Sequence, residues 1–349
     1  MKFMRNRLAY LDIIRIVACL CILIIHFDAS ICGYDTTGNF TYMHNTLIPN
    51  AYWGVYLGDI GTGLFFLLSG ACLEYTGNVF SSLSIDRLKS FYYKRCKSLY
   101  PMYWIAWIGA LILTGTHFSG GVIKWLPLSI IGIDGYLGTL GLSGAFMYYR
   151  VGEWFLGCII CLYLIYPFLA YFFGKHLYLT VLATLVIYVV GIGRLYPAWF
   201  IFQIPYFLMG IFFMRYVRTA LNFKLFLFTI ILIIFRMLFD SYLHPWTKAI
   251  LLNWVLFMVI VFISEMLPIH NPKILDRLSY WSFMTYPMFL VHHQIISHMC
   301  KHFNLAHWAY YKTILVFMLY LALTAVAAEV VVRIEKAVKT QLHRVKSTA

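Results

Sequence analysis

Three ionisable side chains interrupt the first long apolar stretch of the chain, RLAYLDIIRIVACLCILIIHF, residues 7–27. Asp12, Arg15 and His26 would each cost about 3 kcal/mol at bilayer depth unless paired or solvated. At about 100° per residue, Arg15 falls about 60° and His26 about 40° from Asp12, with Cys19 between them, so one helix face carries all three. Along the axis Arg15 and His26 lie roughly 16 Å apart. A guanidinium at one end suits a phosphate, and an imidazole at the other suits proton transfer near neutrality. Asp12 and Arg15 could equally form an ion pair that only anchors the helix, and His26 could hydrogen-bond a neighbouring helix. For His26, three ionisable groups on one face favour proton handling.

The elements that must position this face follow from composition. Of 349 residues, 62% are hydrophobic, 19% aromatic and 11% charged, where a soluble chain carries roughly a quarter charged residues. A disordered chain, a secreted disulfide scaffold and a cytosolic enzyme are thereby excluded. The expectation is an all-α integral membrane protein, one polytopic domain over residues 1–349. Apolar spans fall at roughly 8–28, 55–74, 99–116, 152–173, 177–193, 197–214, 223–241, 249–267, 279–299 and 313–332, each near the length that crosses a bilayer. With the N-terminus inside, 19 of the 27 Lys and Arg lie in cytoplasmic segments, six outside, and two, Arg15 and Arg236, within spans. This bias sets both termini in the cytoplasm, leaving residues 333–349 as a basic cytoplasmic tail. The net charge of +14 is therefore topology, and nucleic acid is not an expected partner; membrane lipid is. Asp12 and Arg15 also argue against a cleaved signal peptide, and the first span is expected to be retained.

Other features carry less. Cys158 and Cys161 share a face but lack a second Cys or His pair, which reads as apolar packing. Cys32 and Cys300 fall near the outer face, with their pairing left open. No repeat or linker divides the chain. Residues 117–151, Gly-rich and half apolar, suggest a re-entrant or surface-lying segment lining a cavity. Most Trp residues lie near span ends, as an interfacial belt would place them. In VHHQIISHM, His292 and His298 are about 240° apart on a helix, so they cannot share an ion and no metal is expected. Glu153 begins the fourth span beside Trp154, either to serve the same site as His26 or to complement the helix dipole. Asp59 fits an interfacial position or the same cavity. Arg236 and Asp240 are spaced as a helix pair. Glu329 has no evident partner.

Arg7, Leu11, Asp12, Arg15, Ala18 and His26 together resemble the first-helix signature of the membrane acyltransferase type 3 family. GTGLFFLLSGACL, through Gly61, Phe65, Phe66, Ser69 and Gly70, resembles that family's second-helix pattern. KRCKSLYPMYW is similar to its basic stretch ending in proline, and EWFLGCIICLYLIYP and TYPMFLVHH match further segments. The resemblance runs from residue 7 to about 293 in the family's order. Ser98 stands where a second arginine is common, Thr285 where serine is usual and Phe289 where tyrosine is, which weakens the phosphate and hydroxyl contacts expected there; His292 matches.

The resemblance implies transfer of an acyl group, most often acetyl, from cytoplasmic acyl-coenzyme A (acetyl-CoA as co-substrate) to a hydroxyl of a saccharide or lipid-linked glycan across the membrane. Arg15, Lys94, Arg95 and Lys97 are then expected to hold the coenzyme's phosphates. His26 is expected to act as general base or to carry the acyl group. Asp12 would fix Arg15 and Glu153 would assist His26. His292, Trp154 and Ser69 are expected to bind substrate. The implied location is a bacterial cytoplasmic membrane, in company with other envelope-polysaccharide enzymes. A transporter or flippase for a glycolipid or polysaccharide is the competing reading, but the ionic residues concentrate in one span with no matching second half.

Overall fold

The computed structural model describes residues 8–31, 46–76, 80, 82–114, 123–141, 151–192, 199–220, 223–303 and 308–348. The fold is all-α. The helices are α1 (Ala9–Ile31), α2 (Leu57–Tyr75), α3 (Ile85–Thr114), α4 (Leu126–Ile131), α5 (Asp134–Thr139), α6 (Glu153–Lys175) and α7 (Leu177–Gly191). After these come α8 (Ile204–Phe212), α9 (Phe223–Phe239), α10 (Pro245–Met266), α11 (Pro272–Met299) and α12 (Tyr310–Thr348). A two-residue hairpin, β1 (Ala51–Tyr52) against β2 (Val55–Tyr56), leads into α2. Among the described residues, eight helices, one of them α8 with its flanking turns, are long and apolar enough to cross a membrane. The other two expected spans are α7, apolar but only 15 residues long, and α11, 28 residues long and more polar on average.

The third and tenth expected spans begin or end elsewhere. α3 starts at Ile85, because the basic run before residue 99 has Leu88 and Phe91 packed against the core and is good helix sequence despite its charge. α12 runs on through the expected tail to Thr348, supported by the Glu329–Arg333 pair at 2.9 Å and the Glu335–Lys339 pair, each spaced by four. Glu329 is thus partnered after all, by Arg333 and by the Tyr280 hydroxyl at 3.1 Å. Arg236 and Asp240 pair as expected at 2.8 Å, and Lys248 joins Asp240 at 2.7 Å.

α1 lies between α2 and α11. Lipid offers no hydrophobic drive between helices, so close packing depends on small residues. A Cβ at Gly70 would sit 2.1 Å from the Phe207 carbonyl oxygen, and one at Gly210 2.0 Å from that of Leu67. These two glycines bring the α2 and α8 backbones into contact. A π-turn over Phe213–Val217 follows α8 and directs Arg215 at Glu74 in a bidentate pair of 2.8 and 3.0 Å. Leu179 of α7, Leu238 of α9 and Leu315 of α12 stay more than 60% exposed, as side chains facing lipid would be.

The segment expected to lie at the surface or re-enter folds, in its described part, into α4 and α5. Trp104 and Trp107 donate to Ile130 O and Ser129 Oγ, each at 2.9 Å, and the Tyr103 hydroxyl bonds Ser129 O. These bonds pin α4 to α3. α5 packs across the start of α6. Its Tyr136 hydroxyl accepts from Phe200 N at 2.8 Å, and burial pushes that phenol far above its usual range. Cys32 and Arg7 lie outside the described residues. Cys300 Sγ faces Ser30 O at 3.2 Å.

Candidate active site

The polar face expected on α1 exists. Asp12 is buried and stands 3.8 Å from Arg15, but the guanidinium's nearer contacts are across helices, to Ser282 Oγ of α11 at 2.9 Å and Cys72 Sγ of α2 at 3.2 Å. Cys19 faces Thr285 O at 3.7 Å. The Thr285 hydroxyl is spent within its own helix, on Ser282 O at 2.8 Å.

Arg15 lines a cavity of about 310 Å3 between α1, α2, α3, α6 and α11. Arg95 lines the same cavity, with its guanidinium 5.8 Å from the Phe91 ring and 6.0 Å from the Tyr163 ring. Its Nε is buried without a hydrogen-bond partner among the described residues. Lys94 and Lys97 do not reach the cavity: both are exposed on α3, and Lys97 sits over Tyr93 instead. On a helix Arg95, Ser98 and Leu99 share one side and residues 94 and 97 point elsewhere. Ser98, where the family commonly has arginine, lines the cavity too, and so does Ser69, whose hydroxyl donates to Phe65 O at 2.8 Å. Ser69 therefore belongs to the Arg15 end and not to the His26 end.

The opposite end of α1 carries a cluster that no single helix encodes. His26 is tilted against two rings of α11, with centroids 5.1 Å from His292 and 4.3 Å from His293. Glu153, the first residue of α6, reaches both helices: Oε1 lies 2.6 Å from His293 Nε2 and Oε2 lies 3.7 Å from His26 Nε2. The His26 side chain is 29% exposed, whereas His292 is 1% exposed as a residue. His292 Nδ1 lies 2.6 Å from Phe289 O. A carbonyl oxygen only accepts, so Nδ1 carries the proton and Nε2 is left with its lone pair, buried without a hydrogen-bond partner among the described residues. Nitrogens of His26, His292 and His293 lie within 4.8 Å of one another, so the three imidazoles could also supply ligands to a cation.

Backbone conformation fixes the carboxylate. Gly152 and Glu153 both have left-handed φ, 78° and 42°, which glycine adopts freely and glutamate adopts at a cost. A Cβ on Gly135 of α5 would sit 2.9 Å from the Glu153 carbonyl carbon, so α5 holds that backbone from behind. Trp154 lines a second cavity with Asp59 and Trp246. Trp53, Trp104 and Trp308 are exposed.

The two ends meet at an aromatic wall. Phe289 and Phe155, both in the wall of the Arg15 cavity, pack edge to face at 5.2 Å, and Phe289 lies 5.6 Å from His292. Sequence reasoning missed His293, which makes the shortest contact to Glu153. The adjacent pair of histidines was visible, but which of them turns inward depends on the rotation of α11. It missed Glu74 and Arg215 as partners as well, since nothing local links residues so far apart.

No curated protein and no solved structure matches the chain. The family model described as an acyltransferase domain matches residues 8–333, a stretch that contains both ends of the α1 face and all the residues around them. This membrane protein belongs to the acyltransferase type 3 family.

Proposed function

We propose that the protein is an O-acyltransferase that moves an acyl group, acetyl first among candidates, from cytoplasmic acyl-coenzyme A to a hydroxyl of an extracytoplasmic or lipid-linked saccharide. The observation that carries this reading is the course of one helix face, from Arg15 in the wall of a cavity to His26 at ion-pair distance from Glu153. Arg15 and Arg95 supply guanidinium donors for the coenzyme's phosphates. A cavity of about 310 Å3 suits the narrow thiol arm and leaves the nucleotide at the basic mouth. The thioester then approaches His26 past Phe155 and Phe289. His26 takes the proton of the acceptor hydroxyl as its oxygen attacks the thioester carbon. The C–S bond breaks, and the proton returns to the leaving sulfur. Glu153 offsets the charge of the transient imidazolium, as the third member of a catalytic triad does. A bacterial cytoplasmic membrane, with other envelope-polysaccharide enzymes nearby, is the setting that suits such an acceptor.

Purified protein in lipid, labelled acetyl-coenzyme A and cell-envelope glycans provide the test. Label on glycan with wild type, and its loss with His26→Ala at equal abundance, is the expected outcome. Acid-quenched protein that retains label on His26 would instead make that residue the acyl carrier. Transfer that persists in the variant removes His26 from the chemistry.

A further inference from the structure

The second cavity, about 330 Å3 in volume, lies among α2, α5, α6, the turn Phe200–Gln203, α8 and α10. Its wall combines two kinds of group. Asp59, Thr62 and Gln203 supply oxygens and an amide, while Trp154, Trp246 and Phe202 supply rings, the last two in contact with centroids 4.5 Å apart and planes tilted by 55°. Asp59 stands in the first turn of an apolar helix and is exposed to this space. Among the described residues its carboxylate makes no hydrogen bond or ion pair, whereas Glu74, Asp240 and Glu153 are each paired. A carboxylate held at a membrane-spanning segment without a protein partner marks a ligand site.

We infer that this cavity is the acceptor subsite and that it takes a neutral sugar ring. The inference rests on the acyltransferase reading above and adds to it the residues that select the acceptor. Vicinal hydroxyls donate to a carboxylate and exchange hydrogen bonds with an amide, and the apolar C–H face of a sugar ring packs on indole. Asp59 would repel a phosphate, so a nucleotide or phosphosugar fits poorly. The volume, near the low end of the about 300–1,000 Å3 that ligand pockets span, admits a terminal sugar and not a folded polymer. Trp154 in its wall directly follows Glu153, which lies at ion-pair distance from His26 and His293, so the subsite and the reacting centre share the first turn of α6. By contrast, the cavity beside α7, about 640 Å3 and walled by Phe173, Leu182, Leu185 and Phe212, has almost no polar wall. That one suits lipid chains.

The test uses the full-length protein in lipid nanodiscs, labelled acetyl-coenzyme A, and cell-envelope glycan as acceptor. Asp59→Asn and Trp246→Ala are expected to raise the acceptor KM by about tenfold, the loss of one charge-assisted hydrogen bond or one ring face, with the acetyl-coenzyme A KM unchanged. Asp59→Asn preserves size, so retained elution volume and thermal midpoint exclude a folding defect. An acceptor KM within about twofold of wild type in both variants overturns the subsite. A second readout separates this failure from that of the acyltransferase reading: quenching of tryptophan emission by methyl glucoside, methyl galactoside or methyl N-acetylglucosaminide. Saturable quenching that Asp59→Asn abolishes, in a protein that transfers no acetyl group, keeps the subsite and overturns the transfer. No quenching by any of the three in such a protein overturns the subsite.

Discussion

Glu153 Oε1 lies 2.6 Å from His293 Nε2 while its other oxygen lies 3.7 Å from His26 Nε2, so one carboxylate at the start of α6 ties α11 to α1. Replacing it with the isosteric amide keeps the shape and removes the charge. For Glu153→Gln we expect kcat to fall by about 10²-fold or more with little change in either KM, the signature of a contact that matters mainly in the transition state. His293→Ala should fall similarly. Steady-state transfer assays at saturating donor and acceptor decide this; an amide variant with wild-type kcat would reduce Glu153 to a structural tie.

Arg15 and Arg95 share the cavity wall, and Lys94 and Lys97 do not. Arg15→Ala and Arg95→Ala should each raise the acyl-coenzyme A KM by about tenfold or more, since each removes charge-assisted bonds to phosphate. Lys94→Ala and Lys97→Ala should change it by less than about threefold, because exposed charges contribute little. Donor titration of the four variants measures the contrast, and equal effects in all four would show that charge at the basic mouth counts and cavity position does not.

The bidentate Glu74–Arg215 pair crosses from α2 to the turn after α8, with side chains only 4% and 13% exposed. Removing one partner leaves a buried charge, at a cost of about 3–5 kcal/mol. Thermal unfolding in detergent should therefore drop markedly for Glu74→Ala and for Arg215→Ala, and by much less for the double variant Glu74→Met/Arg215→Leu. Equal losses in single and double variants would argue that packing, and not charge compensation, holds this junction.

Nitrogens of His26, His292 and His293 lie within 4.8 Å of one another, but they already have partners other than an ion: His292 Nδ1 lies 2.6 Å from Phe289 O. Glu153 already engages two of the rings. Transfer is therefore expected to survive prolonged chelation, and elemental analysis of pure protein should find less than stoichiometric metal. Activity lost to chelator and restored by one equivalent of a divalent ion would make the three rings a metal centre.

Much of this architecture was legible along the chain. Runs of about 20 apolar residues specify spans whatever their neighbours do, because unpaired backbone in lipid is too costly for any other form. Helical periodicity likewise put Asp12, Arg15 and His26 on one face before any contact was known. Local rules failed at two boundaries: the basic start of α3 and the end of α12 are helical because their own side chains pair and pack, beyond the reach of hydropathy.

The site required more. Whether Lys94 or Arg95 reaches a cavity, and whether His292 or His293 reaches Glu153, depends on how each helix is rotated about its axis, which side-chain packing from other helices sets. Periodicity left Asp59 between an interfacial position and the Arg15 cavity, and gave Trp154 no neighbour across helices; α8 and α10 close a second space over both. Residues 26, 153 and 293 become neighbours only when α1, α6 and α11 pack together. One-dimensional periodicity states which residues share a face of one helix; it carries no information on which faces meet.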